Sequence, residues 1–405
     1  FLQRLKKWHQ AIIRFCPIKM TPSNRAYFPV KQPLKFDPAT YIPCARIATR
    51  VYSPNTGESN ICHDVLVRTN CAGNSHSSFE HNNPQNKQNR AYWFQRPIRS
   101  AIYGRVHQAI VLKPRKVHNP QDHQYSPPEA QWETTEEFCA VKELKWSKIQ
   151  KNSRKLPEDP IKEVQAMQFL YKCVAANGES DGSEHVLMPL DFFSDDQFLY
   201  IISPYCNNDF FELCERVGKF SENDARHWMK QILKGLGYLH RVGICHADLS
   251  LENLLVHDNR CVIIDFGQCL RVPFEEVEND SDSCIALRRN LFMSSQGTFG
   301  KDNFIAPEIL SAKPYFDGFA IDLWSSGIIL FMMVTGFPPW NMETAGDRRF
   351  QFMSKFGCME QALMQWGLDL SPSLMDLLQK MLYSDPSKRL SFDEVLEHPW
   401  MVMHD

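Results

Sequence analysis

The chain has 405 residues, with 45 Lys plus Arg against 47 Asp plus Glu and a formal charge of −2. That length allows two or three packing units, and 43% apolar with 23% charged residues is the balance of a globular chain, not a disordered or fibrous one. The near-neutral charge argues against a dedicated nucleic-acid or membrane-surface protein, and thirteen cysteines without a C-x-x-C pair argue against a disulfide scaffold or zinc site.

Residues 1–90 lack a sustained period and read as an N-terminal extension and linker. Leu2, Leu5, Trp8, Ile12 and Ile13, interleaved with Arg4, Lys6, Lys7 and Arg14, make a basic amphipathic pattern. It suits either a helix that touches a membrane or partner, or a peripheral helix packed on its own domain. Pro-interrupted sequence follows from Pro17 to Pro54, and the Asn- and Ser-rich stretch Ala72–Arg90 reads as a linker. Ala91–Leu112 predicts two short strands around Gly104, and the polar segment Lys113–Glu137 predicts a surface loop. Phe138–Val141 is a buried strand ending on Lys142. Pro160–Leu170 predicts a helix with Ile161, Val164, Met167 and Leu170 on one face. His185–Ser203 reads as two strands joined at Ser194-Asp195-Asp196. From residue 207 the pattern turns helical, with Ser221-x-x-Asp224 as a start signal. The expectation is an α+β, two-lobed architecture, a small β-rich lobe over 91–206 and a larger helical lobe over 207–405, with a cleft between them. The longest unbroken apolar run, Ile328–Val334, is too short to span a bilayer, so no membrane span is expected. The chain starts at Phe1, so N-terminal targeting is not readable; cysteine usage gives a cytoplasmic expectation.

The chemistry concentrates in His246-Ala247-Asp248-Leu249-Ser250-Leu251-Glu252-Asn253 and, twelve residues beyond Asn253, Asp265-Phe266-Gly267 after an apolar strand. Phosphoryl transfer needs a carboxylate at the attacking hydroxyl, hard oxygen ligands for magnesium and a cation on the phosphate tail. Asp248 and Asn253, five apart on a loop, allow one side chain to face a hydroxyl and the other a metal. Asp265, at a strand end, is placed to reach the same metal.

These residues resemble the eukaryotic protein kinase family, over about residues 91–405 and in the right order. Val141-Lys142 resembles the V-A-I-K motif, Ala306-Pro307-Glu308 the A-P-E motif, and Asp322-x-Trp324-x-x-Gly327 and Arg389 also match. The resemblance implies a bilobal protein-kinase-like fold, with ATP and Mg²⁺ as cofactors and protein Ser/Thr hydroxyls as substrates. It assigns Asp248 to the substrate hydroxyl, Lys142 and its partner Glu163 to the phosphates, and Asn253 and Asp265 to magnesium. Gly104, Val106, Ala140, Ser203 (the gatekeeper position), the Pro204 carbonyl, the Cys206 amide and Asp209 would form the nucleotide site. Glu308 and Arg389 would form a buried ion pair.

The sequence departs from the family in three places. Arg99 and Ala101 stand where the first two glycines of the phosphate loop belong, with Gly104 as the last. Ala247 replaces the Arg before the catalytic Asp, which makes this a divergent, non-RD member. Ser250 replaces the usual Lys two residues after Asp248, while Lys301 follows Gly300 where the family has Thr. An exchange of the two residue types is implied, with Lys301 supplying the ammonium and Ser250 the hydroxyl. A similar S-L-E-N loop with a G-K pair occurs in divergent protist-type kinase groups. The span Asp265–Glu308 is 44 residues long, and Val272–Cys284 in it carries five acids and no base. That stretch is either a solvated loop or a regulatory one. Phe337-Pro338-Pro339-Trp340 resembles the calmodulin-dependent kinase group, but no EF-hand loop or calmodulin-binding helix follows Trp400, so calcium control is not expected. Asp209, Glu212 and Glu215 are either a basic-substrate preference or a solvated helix face. The rival reading is a pseudokinase scaffold, on the degraded glycine loop, Ala247 and Ser250; a metabolite kinase is disfavoured by the A-P-E segment and Arg389. The oligomeric state is not readable.

Overall fold

A computed structural model of the chain describes residues 35–69, 90–115, 131–152, 158–177, 181–272, 274–278, 285–289, 292–293, 300–311, 315–341 and 346–403. The described chain forms two compact units, one of residues 37–179 and 187–206, the other of 180–186 and 207–405 with residues 35 and 36.

The first unit is a closed seven-stranded barrel. Its strands are β1 (Ile42–Ser53), β2 (Glu58–Arg68), β3 (Ala91–Ser100), β4 (Gly104–Pro114), β5 (Trp132–Lys145), β6 (Asp191–Ser194) and β7 (Phe198–Pro204), in the order β1-β2-β3-β4-β5-β7-β6. Parallel pairing of β1 with β6, Ile42 opposite Phe193, closes the ring. Period-two alternation buries one face: Cys139 and Val141 of β5 point inward with Ile42, Cys44, Tyr92, Phe94, Ala109, Phe193 and Tyr200. Val51, Val65, Ala91, Leu112 and Trp132 form a second cluster. A buried carboxylate needs partners, and Asp191 finds the Tyr92 hydroxyl and the Arg68 guanidinium, the latter at 3.3 Å.

Two expectations are corrected here. The stretch 1–90 is not all extension and linker, because β1 and β2 are barrel strands and their apolar residues fill the same core as β3. The polar segment 113–137 is not all loop: β4 runs to Pro114, and β5 starts at Trp132, whose indole is buried in that core. The amphipathic pattern of residues 2–14 and the stretch 72–89 lie outside the described residues.

Two helices belong to this unit, α1 (Trp146–Asn152) and α2 (Pro160–Asn177). Proline opens α2, Asp159 accepts the Ile161 amide at 2.9 Å, and Val164, Met167 and Leu170 are buried as their spacing predicts. The turn before β7 is an Asp-centred one, with Asp195 Oδ1 accepting the amides of Gln197 and Phe198 at 2.8 and 2.7 Å.

The second unit starts with β8 (Asn208–Asp209), α3 (Phe210–Val217) and α4 (Glu222–Arg241). Ser221 caps α4 by accepting the Asp224 amide at 3.1 Å. Next come β9 (Ile244–Cys245), β10 (Leu254–His257), β11 (Arg260–Ile263) and β12 (Leu270–Arg271). The short strands β13 (Phe274–Glu278), β14 (Ile285–Arg289), β15 (Phe292–Met293) and β16 (Tyr315–Phe316) form two antiparallel pairs, β13 with β14 and β15 with β16. The remaining helices are α5 (Pro307–Leu310), α6 (Gly318–Thr335), α7 (Arg348–Phe350), α8 (Met359–Gln365), α9 (Pro372–Met381), α10 (Phe392–Leu396) and α11 (Pro399–Val402). Helix α6 is 18 residues long with a mean hydropathy of 1.6, so the seven-residue run Ile328–Val334 understates its apolar length. By length and composition alone it would reach across a bilayer, yet 89% of it is buried within the protein, the mark of a core helix. Trp324 within it is fully buried against Trp340, their ring centroids 5.5 Å apart, and Trp400 is fully buried as well. All ten cysteines among the described residues are free thiols.

Candidate active site

Lys142 belongs to the barrel unit. Lys142 lies on β5 beside the inward-facing Val141, so alternation turns it to the outer face. There its Nζ meets both carboxylate oxygens of Glu163, at 2.9 and 2.7 Å. Glu163 sits in the first turn of α2, where the helix dipole favours a carboxylate, and is 5% exposed. Directly opposite residues in antiparallel strands share a face. Val106 is opposite Lys142, and Ser203 is opposite Ala140. Val106, Ala140, Lys142 and Ser203 therefore line one outer patch, all half-buried. Pro204 follows on the same strand, exposed, with Cys206 two residues on. Asp209 is the N-cap of α3, its Oδ1 accepting the amides of Phe211 and Glu212 at 2.7 and 3.3 Å.

Gly104 has a different local role from the one its motif position suggests. The turn between β3 and β4 is closed on both sides, Ala101 N to Gly104 O and Gly104 N to Ala101 O, each 3.1 Å. A Cβ on Gly104 would stand 1.8 Å from the Glu143 carbonyl oxygen, so glycine is needed here for the approach of two strands. Each of the two flanking N–H groups donates to the other residue's carbonyl, which makes the turn a tight hairpin with Ile102 and Tyr103 at its tip. Arg99 and Ala101 are the strand end and first residue of that hairpin.

Asp248, Asn253 and Asp265 belong to the helical unit. Asp248 is 7% exposed. The Asn253 amide donates to its carbonyl at 2.8 Å and to Oδ2 at 3.2 Å. Oδ1 is buried, and the Gln268 side chain also steadies the carboxylate. Burial, with the Asp265 charge adding to it and Lys301 opposing it, pushes the Asp248 carboxyl up to about 7. The loop is held from below. Asp322, in α6 and 1% exposed, accepts the amides of His246 and Ala247 and pairs with His240, all at 2.9 Å. His246 Nδ1 accepts the Asp248 amide at 3.3 Å, which leaves the proton on Nε2 to donate to the Ile264 carbonyl at 2.9 Å. That ring is fully buried, and burial lowers its pKa, which keeps it neutral.

Ala247 and Asp265 both have φ near +60°, at 61° and 66°. Such backbone is costly for non-glycine residues and persists where surrounding bonds dictate it. The two Asp322 bonds do so for Ala247. Asp265 follows β11, and the Ile264 amide donates to the Asn253 carbonyl at 3.0 Å, which sets Asn253 beside it. Asn253 gives its amide hydrogens to Asp248, so its Oδ1 is the end offered to a cation. A carboxamide oxygen and a carboxylate are hard donors of the kind Mg²⁺ takes.

Lys301 also comes to this loop. Its Nζ lies 3.4 Å from Ser250 Oγ and 3.5 Å from Glu252 Oε2. The Gly300 amide bonds Gln268 Oε1 at 3.1 Å, which docks residues 300 and 301 beside the Asp265 turn. Glu308 and Arg389 form a two-pronged ion pair, both contacts 2.7 Å. The sequence reading missed what Asp322, His246 and Gln268 do for the site. The motif positions of Asp322 and His246 were visible, that of Gln268 was not, and no spacing says which backbone amides any of them holds.

A family model described as the protein kinase domain matches residues 129–401. The chain belongs to the protein kinase family. That match begins just before β5, so β1 to β4 lie outside it. Among similar proteins, calcium/calmodulin-dependent protein kinase type IV of Mus musculus is 36% identical over 198 residues, 47% of this chain and 38% of the relative. The SNF1-related protein kinase catalytic subunit alpha KIN12 of Arabidopsis thaliana is 30% identical over 223 residues, 54% of this chain and 40% of the relative. Calcium/calmodulin-dependent protein kinase type 1 of Caenorhabditis elegans is 29% identical over 224 residues, 54% of this chain and 57% of the relative. The chain spans less than two thirds of the length of each of these kinases.

Proposed function

We propose that this chain is an active serine/threonine protein kinase that uses ATP and Mg²⁺. The observation that carries the reading is Asp248: buried, held by Asn253, its carboxyl pushed by burial up to about 7. A buried carboxylate poised to take up a proton near neutral pH costs stability, and a site that receives a hydroxyl proton is a reason to keep it.

In the proposed reaction a substrate Ser or Thr oxygen attacks the γ-phosphorus, the bond to the ADP leaving oxygen breaks, and the hydroxyl proton passes to Asp248. Asn253 and Asp265 would hold Mg²⁺, which neutralises phosphate charge when bound. Lys142, kept in place by Glu163, grips the phosphate tail. Lys301 stands where it can offer its ammonium to the transferring group, with Ser250 supplying the hydroxyl, so the two swapped residue types restore the usual pair. Ala247 offers no guanidinium to a phosphate on the activation segment, so activity is expected without that modification. Val106, Ala140, Ser203, the Pro204 carbonyl and the Cys206 amide would receive the adenine and Asp209 the sugar side; Gly104 belongs to the strand pairing. Protein substrates and a cytoplasmic location are part of this reading.

The experiment is transfer of radiolabel from ATP to a Ser/Thr peptide library by the wild type beside Asp248→Asn, with and without Mg²⁺. Label with the wild type alone, and only with the metal, is expected. The rival reading is a scaffold that binds nucleotide weakly or not at all. No transfer, with no thermal shift on adding Mg²⁺ and ATP, would establish it.

A further inference from the structure

The hairpin that replaces an open phosphate loop ends in a buried tyrosine. Tyr103 is 1% exposed. Its hydroxyl donates to the Glu158 carbonyl at 2.8 Å, and its own carbonyl accepts the Lys145 amide at 3.0 Å. Burial, with the negative charges of Glu158 and Asp159, raises the phenol above its ordinary value, so it remains a donor. Glu158 leads into Asp159, which takes the Ile161 amide and whose carbonyl takes the Glu163 amide at 3.0 Å. Glu163 returns to Lys142, three residues before Lys145 on the same strand. The bonds form a closed ring: strand β5, the hairpin tip, the head of α2, and back to β5 through the ion pair.

A second contact holds α2 further along. Gln168, 5% exposed, matches the backbone of Thr40 with both ends of its amide: Oε1 accepts the Thr40 amide at 3.2 Å and Nε2 donates to the Thr40 carbonyl at 2.6 Å. Thr40 lies two residues before β1, in the stretch that precedes the family match.

We infer that Tyr103 and Gln168 are positioning residues that fix helix α2, and through it Glu163 against Lys142, so that the β3–β4 turn is a strut and not a phosphate-covering flap. A hydroxyl that bonds a helix-leading carbonyl limits the tilt of the helix head. A side-chain amide paired to a backbone amide limits its slide. The inference rests on the kinase reading for its kinetic part only.

The test uses the full chain with Tyr103→Phe, which keeps the ring and removes one hydrogen bond, and Gln168→Leu, which keeps the volume. Hydrogen exchange of the amides of residues 161–165 is followed in the nucleotide-free protein, together with KM for ATP, KM for a peptide and the melting temperature. Each variant is expected to speed that exchange and raise KM for ATP on the order of five-fold, the factor of one neutral hydrogen bond, with KM for peptide unchanged. Unchanged exchange and unchanged KM for ATP overturn the inference. A fall in melting temperature with KM for ATP and for peptide rising together overturns it too, because that is a general structural loss. If the wild type transfers no phosphate, the kinase reading fails by itself, and the exchange of 161–165 alone then decides the strut.

Discussion

Glu308→Leu isolates a buried guanidinium. In the wild type Arg389 meets Glu308 in a two-pronged pair at 2.7 Å, with side-chain exposures of 3% and 2%. Removing one partner of such a pair costs about 3–5 kcal/mol, because the remaining charge stays out of water. Arg389 keeps its Nε bond to the Tyr383 carbonyl at 2.6 Å and its place 4.6 Å over the Trp324 ring, so the lower half of that range is expected. At about 2–4 °C per kcal/mol for a unit of this size, the melting temperature should fall by roughly 6–16 °C. The assay is denaturant unfolding beside a thermal scan, run on Glu308→Leu, Arg389→Met and the double variant. Replacing both charges leaves no orphan, so the double variant should recover most of the loss. A single variant losing less than about 1 kcal/mol, the size of an exposed pair, would refute the argument. So would a double variant whose loss is the sum of the two singles.

Two further outcomes follow from the site and its supports. Lys301→Ala should lower kcat by about ten- to a hundred-fold with KM for ATP little changed, and adding Ser250→Lys should restore part of it; full turnover in the single variant would end the exchange idea. Glu222 accepts the Ser371 amide and hydroxyl and the Trp400 indole N–H, and although burial alone would raise its carboxyl, these bonds outweigh it and hold the pKa below the ordinary value. A depressed folded-state pKa gives stability that is present above the unfolded value and lost as pH falls through the folded one. Unfolding free energy should therefore drop on acidification below the ordinary glutamate range, and Glu222→Gln should flatten that part of the curve; an identical acid slope in both proteins would refute the assignment.

The loop from His246 to Asn253 was legible because its residues are close in sequence. Asp248, Asn253 and Asp265 needed only order and spacing. The pair of Lys142 and Glu163 came from the family resemblance; β5 runs on to Lys145 and α1 intervenes before α2. Lys301 was placed beside Ser250 by counting back from Ala306, and the structure has the two side chains 3.4 Å apart. Gly104 shows the opposite case: its motif position suggested phosphate contact, while a carbonyl on a strand 39 residues away decides why it is glycine.

Residues 42–68 were unreadable as part of the barrel for a physical reason. Strand β1 carries a bulge between Ile47 and Thr49 and exposes Arg46 and Ile47, so its alternation breaks in mid-strand. Its closing partner, β6, comes some 150 residues later. Sequence by itself determined the chemical inventory, the order of the motifs and the starts of helices α2 and α4, since these depend on residue type and local period. Tertiary structure decided which backbone groups each buried side chain holds, which strand closes the barrel, and that a turn near the lysine is a fixed strut. Those depend on contacts between distant segments, and no local pattern records them.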